Sequence, residues 1–278
     1  MIDLYHSSSE SCSGHFAKAY STSFSFAIGM LHKDLRVPIC NIYGFVRLAD
    51  EIVDTFHDHD KEKLLAQFKV ETYQSIKEGI SLNPILHSFQ RTVNKYSIDH
   101  NSIEAFFKSM EMDLFKTSHD HSSYHEYIHG SAEVVGLMCL QVFCEGDKAQ
   151  YEKLKPAAKY LGAAFQKVNF LRDIKADFVG LSRVYFPGCD FNNFSLDEKR
   201  KIEANIQADF DAAYLGIKEL PVKARLGVYI AYRYYLCLFK KIKRLSPEVI
   251  VSSRIRIADT KKVWILFVSV LKSKLGII

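Results

Sequence analysis

The chain has 278 residues, 48% hydrophobic and 25% charged, with a formal net charge of +5. That size and balance bury a large core and exclude disorder for most of the chain. Its six cysteines form no CxxC pair, which excludes the common zinc patterns and reads as reduced core thiols.

Sparse breakers (13 Gly, 6 Pro) and long stretches of 3.6 period predict a mainly α chain. In chain order, helices are expected over 15–31, 37–57, 60–79, 84–95, 101–117, 123–144, 148–177, 195–215, 218–244 and 254–274. Pro84, Pro156, Pro187, Pro221 and Pro247 are expected at helix breaks. The longest irregular stretch is 178–194, with Gly180, Pro187 and Gly188. No linker or repeat divides the chain, so one domain over 1–278 is expected. The N-terminus, MIDLYHSSSE, has neither a basic n-region nor an apolar h-region, so no signal peptide is expected. The most apolar late run, Val263–Leu271, is far shorter than the roughly 20 residues that span a bilayer. A cytoplasmic location is therefore expected.

Charge is uneven. From Lys218 onward there are 14 Lys/Arg against 3 Asp/Glu; the earlier part has 23 against 29. The basic end suits phosphates or an anionic membrane surface. Arg254–Leu275 mixes basic and apolar residues as a helix lying on a membrane does, although a packed terminal helix fits the same pattern. A nucleic-acid role finds no recognised motif, and no nucleic-acid partner is expected.

Two of the predicted helices carry acids that a core helix does not need. In PICNIYGFVRLADEIVDTF (38–56), Tyr43, Arg47, Asp50 and Asp54 share one face. In AAKYLGAAFQKVNFLRDIKAD (157–177), Gln166, Asn169, Asp173 and Asp177 do the same, with Arg172 one position round. Carboxylates four residues apart repel unless a cation lies between them, and hard oxygen ligands suit Mg²⁺. A DxxxD pair alone is more often a solvated face. Two such stripes among apolar neighbours point to four carboxylates at one cavity mouth, where metal and arginine hold a diphosphate.

These motifs resemble the squalene/phytoene synthase family of head-to-head prenyltransferases, over about Tyr20 to Lys262. The resemblance rests on Ser21-Thr22-Ser23-Phe24, on Tyr43 to Asp54 (YGFVRLADEIVD), on Tyr127 to Gly136 (YIHGSAEVVG), on Gln166 to Asp177 and on Arg183 to Pro187 (RVYFP). The two acidic signatures stand about 120 residues apart in the family's order. Tyr20 stands where relatives commonly have His, and Glu133 where a Gly is frequent, which bears on the cavity's shape.

The resemblance implies an all-α, single-domain isoprenoid synthase fold, a helical bundle around a central active-site cavity. It implies Mg²⁺, with Mn²⁺ as the alternative, held by Asp50, Asp54, Asp173 and Asp177 with Asn169. It assigns diphosphate binding or departure to Ser21, Ser23, Arg47, Tyr127, Gln166, Asn169 and Arg172, with Tyr235 near the reacting atoms and Arg254 and Arg256 as further phosphate contacts. Phe24, Tyr43, Ala132, Val135 and Gly136 complete the substrate-binding set. Phe24, Phe26, Tyr43, Phe45, Phe165 and Phe170 are candidate walls that keep water from a carbocation.

The wording ADEIVD and NFLRDIKAD resembles bacterial phytoene synthases. It implies that two geranylgeranyl diphosphates join through a cyclopropylcarbinyl diphosphate to give phytoene, the first committed step of carotenoid synthesis, with no NADPH. Downstream carotenoid enzymes are the expected protein partners. Squalene or dehydrosqualene synthesis from farnesyl diphosphate is the alternative. A non-catalytic assembly factor is a second alternative, although such relatives usually lose the acidic ligands kept here.

Overall fold

The computed structural model describes residues 1–180 and 183–277, and among them there is no β-strand. Positions 181–182 of the expected loop lie outside the described residues. The helices are α1 (Ile2–Tyr20), α2 (Thr22–Gly29), α3 (Lys33–Asp54), α4 (Lys61–Glu78), α5 (Pro84–Tyr96), α6 (His100–Phe115), α7 (His121–Ile128), α8 (Val134–Cys144), α9 (Lys148–Ile174), α10 (Leu196–Glu219), α11 (Val222–Lys243), α12 (Pro247–Ser252) and α13 (Asp259–Lys274).

Local chemistry sets most ends. Ser21, Asn83, Asp99, Asp120 and Asp147 each accept a backbone N–H at a helix start. Ser195 and Glu198 form a reciprocal capping box at the start of α10. Gly79 ends α4 at φ 73°, a left-handed conformation that glycine adopts without strain.

Three expectations are corrected. Helix begins at Ile2, not at 15; the serine-rich run Ser7–Ser13 lowers propensity, but packing on α3 and α5 outweighs it. Ser21, in extended conformation, then separates α1 from α2. Pro156 lies inside α9 rather than at a break, held there by the long α9–α10 contact. Residues 253–258 form an irregular strap between α12 and α13, so the final helix starts at Asp259.

α3 is the central element, packed against α1, α4, α5, α6 and α8. Its inner side buries Phe45, which stacks on Phe89 with ring centroids 3.9 Å apart and touches Phe68, Phe106 and Phe107. Truncating such a side chain typically removes about 3–5 kcal/mol. α9 lies opposite, packed on α8, α10 and α11. Lys167 and Asp209, both buried, form an ion pair of 2.7 Å across the α9–α10 seam, and Lys167 also donates to Asn205 Oδ1.

Two π-helical segments interrupt the α geometry, His129–Glu133 between α7 and α8 and Lys175–Gly180 at the end of α9. π turns frequently re-aim side chains at functional sites. The continuous stretch His121–Cys144 is long and apolar enough to cross a membrane by length and composition, but 61% of its apolar window is buried inside the protein.

α9 comes close to the first π segment at Gly162. A Cβ there meets the Ala132 carbonyl oxygen at 2.5 Å, whereas one at Gly14 meets nothing within 4 Å. Gly162→Ala is therefore expected to lower stability by about 1–3 kcal/mol. Gly14→Ala in helical α1 is expected to be neutral or stabilising by up to about 1 kcal/mol. Urea unfolding of the two variants checks the contrast.

Candidate active site

α2, α3, α8, α9, α10 and α11 enclose a cavity of about 540 Å³. Its mouth is polar and its far end apolar. From α3, Tyr43, Arg47, Asp50 and Asp54 line it. From α9 and the π turn after it come Gln166, Asn169, Arg172, Asp173 and Asp177. The two stripes read from helical period do meet at one cavity.

Electrostatics divides the carboxylates into two sets. Asp54 and Asp173 are ion-paired: Arg183 Nη1 reaches Asp54 Oδ1 at 2.8 Å, Arg172 Nε reaches Asp173 Oδ2 at 3.0 Å, and Arg254 Nε lies 2.8 Å from Asp173 Oδ1. Among the described residues Asp50 and Asp177 have no such partner. Burial, then repulsion from Asp54 and Asp113, pushes Asp50 up to about 8 against the pull of Arg47. Burial and the charges of Asp173 and Asp54 push Asp177 up to about 7. Asp50 and Asp177 thus both feel Asp54, the link between the two stripes.

Sequence reasoning missed the groups beneath the mouth. Asp113 of α6 is buried, accepts from Tyr127 Oη at 2.7 Å and Tyr185 Oη at 3.3 Å, and is pushed up to about 7, mainly by burial. Arg183 also donates to the Asp113 carbonyl at 2.8 Å. Arg183 and Tyr185 lay in the matched RVYFP stretch. Asp113 had no local signal, since only the tertiary fold brings α6 under α3.

Arg47 pairs with Glu51 and stacks over the Tyr20 ring at 4.3 Å, while its Nε is buried with no partner among the described residues. Asp173 Oδ1 is also buried without a well-aligned donor, despite the nearby Arg254. One unpaired cationic donor and two carboxyls held near neutrality fit an anionic ligand bound with a divalent cation. Among the described residues no three acidic, His or Cys side chains already converge as a ready-made metal cluster.

The remaining expected residues are distributed as follows. Ser21 caps α2, accepting from Phe24 N at 3.2 Å, and lines the mouth. Ser23 does not line the cavity, a correction, although Ala27 one turn further along α2 does. Phe24, Tyr43, Phe165 and Phe170 are cavity walls as expected. Phe45 is not, because it points into the α3–α5 core, and Phe26 is 46% exposed on the outer face of α2. Ala132, Val135 and Gly136 line the wall beside the first π segment. Glu133 turns instead to His129 and Lys159, so it does not narrow the cavity. Arg254 reaches the mouth; Arg256 does not, and its carbonyl accepts from Lys241.

Tyr127 and Tyr235 both line the cavity. The Tyr127 hydroxyl is committed to Asp113 and that of Tyr235 to Asn169 Oδ1 at 3.2 Å. Burial raises both phenols, so both stay protonated. The Tyr235 ring stacks on Phe165 at 4.0 Å.

An all-helical bundle closed on an apolar cavity with acidic stripes on opposed helices defines an isoprenoid synthase class of protein. Residues 17–261 match the family model described as squalene/phytoene synthase, and the chain belongs to that family of head-to-head prenyl synthases. It is 27% identical to a 4,4'-diapophytoene synthase of Staphylococcus haemolyticus (strain JCSC1435) over 196 residues, 69% of this chain and 67% of that protein. It is 26% identical to phytoene synthase 2, chloroplastic, of Solanum lycopersicum, over 82% of this chain and 78% of that one. A crystal structure of a dehydrosqualene synthase in complex with ligand superposes with a TM-score of 0.81 at 17% identity, covering 100% of this chain and 99% of that chain.

The raised carboxyls carry a pH signature. An unfolded Asp titrates near 3.9. Between about pH 4 and pH 8 the folded chain therefore holds more protons than the unfolded one at Asp50, Asp113 and Asp177, and stability falls as pH rises through that window. In Asp50→Asn, the stability lost between about pH 5 and about pH 8 is expected to be smaller than in the wild type. Urea unfolding at the two pH values measures it, and an unchanged loss contradicts the assignment.

Proposed function

We propose that this chain joins two geranylgeranyl diphosphates head to head, through a cyclopropylcarbinyl diphosphate, to give phytoene. The observation that carries the reading is the cavity's polarity: acids and arginines from α3 and α9 share one cavity with an apolar lining that includes the small side chains of Ala158 and Ala213.

In this reading Asp50, Asp54, Asp173 and Asp177, with Asn169, hold Mg²⁺ or Mn²⁺. The metal supplies charge neutralisation for the departing diphosphate. Arg47 offers its unpartnered Nε to diphosphate oxygen, and Arg172 and Arg254 turn from Asp173 to the same anion. Ser21 and Gln166 add hydrogen bonds at the mouth. Phe24, Tyr43, Phe165, Phe170 and Tyr235 exclude water and present ring faces to the allylic cation. Tyr127 and Tyr235, held protonated, serve as walls and donors rather than as phenolate bases.

A second reading takes farnesyl diphosphate to a C30 product. The relative named 4,4'-diapophytoene synthase supports it.

The test supplies Mg²⁺ with either diphosphate, without NADPH, and identifies the extracted hydrocarbon by mass. Phytoene from geranylgeranyl diphosphate is expected. Ala158→Phe, filling the apolar end, is expected to shift the preference toward farnesyl diphosphate by about tenfold or more. A wild type that makes only a C30 product overturns the C40 reading in favour of the second, and one that makes neither overturns both.

A further inference from the structure

We propose that α13 docks the protein on an anionic lipid bilayer, with its N-terminal end and the cavity mouth at the membrane surface. The unusual feature of α13 is that its outward face is apolar. Val263, Trp264, Phe267 and Leu271 are 58%, 63%, 55% and 44% exposed. At positions i, i+1, i+4 and i+8 they form one stripe, continued by exposed Leu275. The inward face is narrow: Ile265 and Ser269 are buried, with Leu266 packed beside Ile265 against Ala27, Ile230 and Tyr234. Other strongly exposed apolar residues, such as Leu4, Leu82 and Val222, lie far apart in the chain and need no explanation. A contiguous aromatic and aliphatic stripe marks an interaction surface.

Charge identifies the occupant. α13 carries Lys261, Lys262, Lys272 and Lys274 against a single acid, Asp259. Lys240, Lys241 and Arg256, all exposed, lie near its N-terminal end, where Lys241 Nζ donates to the Arg256 carbonyl. Lysines flanking a Trp/Phe/Leu stripe are the composition of a helix lying in the interface of an anionic bilayer. A second copy of this chain fits less well, because two-fold pairing of this face sets lysine against lysine.

Position gives the docking a purpose. Lys262 Nζ bonds Thr22 Oγ1 at 3.1 Å, beside the mouth residues Tyr20 and Ser21. Tyr234 Oη donates to the Lys262 carbonyl, and the next residue, Tyr235, lines the cavity. The strap before α13 places Arg254 on Asp173. The N-terminal end of α13 therefore adjoins the opening through which a lipid tail enters. Phe26, exposed one turn after Thr22 on α2, extends the apolar surface on that side.

The purpose, though not the docking, rests on the prenyl diphosphate reading. Trp264 is the one tryptophan of the chain, so it reports directly on its surroundings. The full-length protein, without substrate or metal, is mixed with vesicles of phosphatidylcholine alone or with added phosphatidylglycerol. With phosphatidylglycerol, a blue shift of tryptophan emission and quenching by brominated lipid are expected. Co-sedimentation with the same vesicles is expected to weaken by at least about tenfold in W264E/F267E. K261Q/K274Q is expected to lose about fivefold per lysine. Emission that does not change on either vesicle overturns the proposal. So does a wild type whose stripe is buried in a dimer that W264E/F267E dissociates. Since no prenyl diphosphate is present, a failure here is distinct from a failure of the product assay.

Discussion

Carboxyl groups gathered at the mouth of an apolar cavity repel one another and resist ionisation. Asp50, Asp113 and Asp177 are in that position, contributed by α3, α6 and the π turn after α9, with Asp54 and Asp173 beside them. Arginines ion-pair with Asp54 and Asp173. Asp50 and Asp177 are held near neutrality instead. The rest of the fold works to keep this arrangement: the phenylalanine cluster around Phe45 fixes α3, and the Lys167–Asp209 pair fixes α9 on α10. A site that pays such electrostatic stress in the free protein is prepared for a ligand that removes it.

The same economy explains the apolar part of the cavity. At the cavity the Tyr127, Tyr185 and Tyr235 hydroxyls are already bonded to Asp113 and Asn169, and the Tyr235 ring stacks on Phe165. The outward stripe of α13 stands beside this opening, which gives one molecule a polar catalytic mouth and an apolar external face in close succession.

Much of this was legible in the sequence because helical period needs no tertiary information. Asp50 with Asp54, and Asp173 with Asp177, fall on common faces by spacing alone, and the apolar residues next to them pointed to a cavity rather than to solvent. What spacing could not show was distance across the fold. Asp113 sits in an ordinary amphipathic helix, and only the packing of α6 under α3 gives it Tyr127, Tyr185 and Arg183 as partners. The π turns leave no mark in residue type. Phe45 and Phe26 show the limit on the apolar side: a phenylalanine near a motif is placed by its rotation about the helix axis, inward to the core in one case and outward in the other.

The central claim is that the stripes of α3 and α9 act as one site. Mn²⁺ binding, followed by its paramagnetic resonance in the presence of inorganic diphosphate, tests it most directly when Asp50→Asn and Asp177→Asn are measured separately. The account predicts that each variant weakens Mn²⁺ binding by at least about tenfold. If either variant binds Mn²⁺ as the wild type does, the two helices do not share a metal–diphosphate site and the account is wrong.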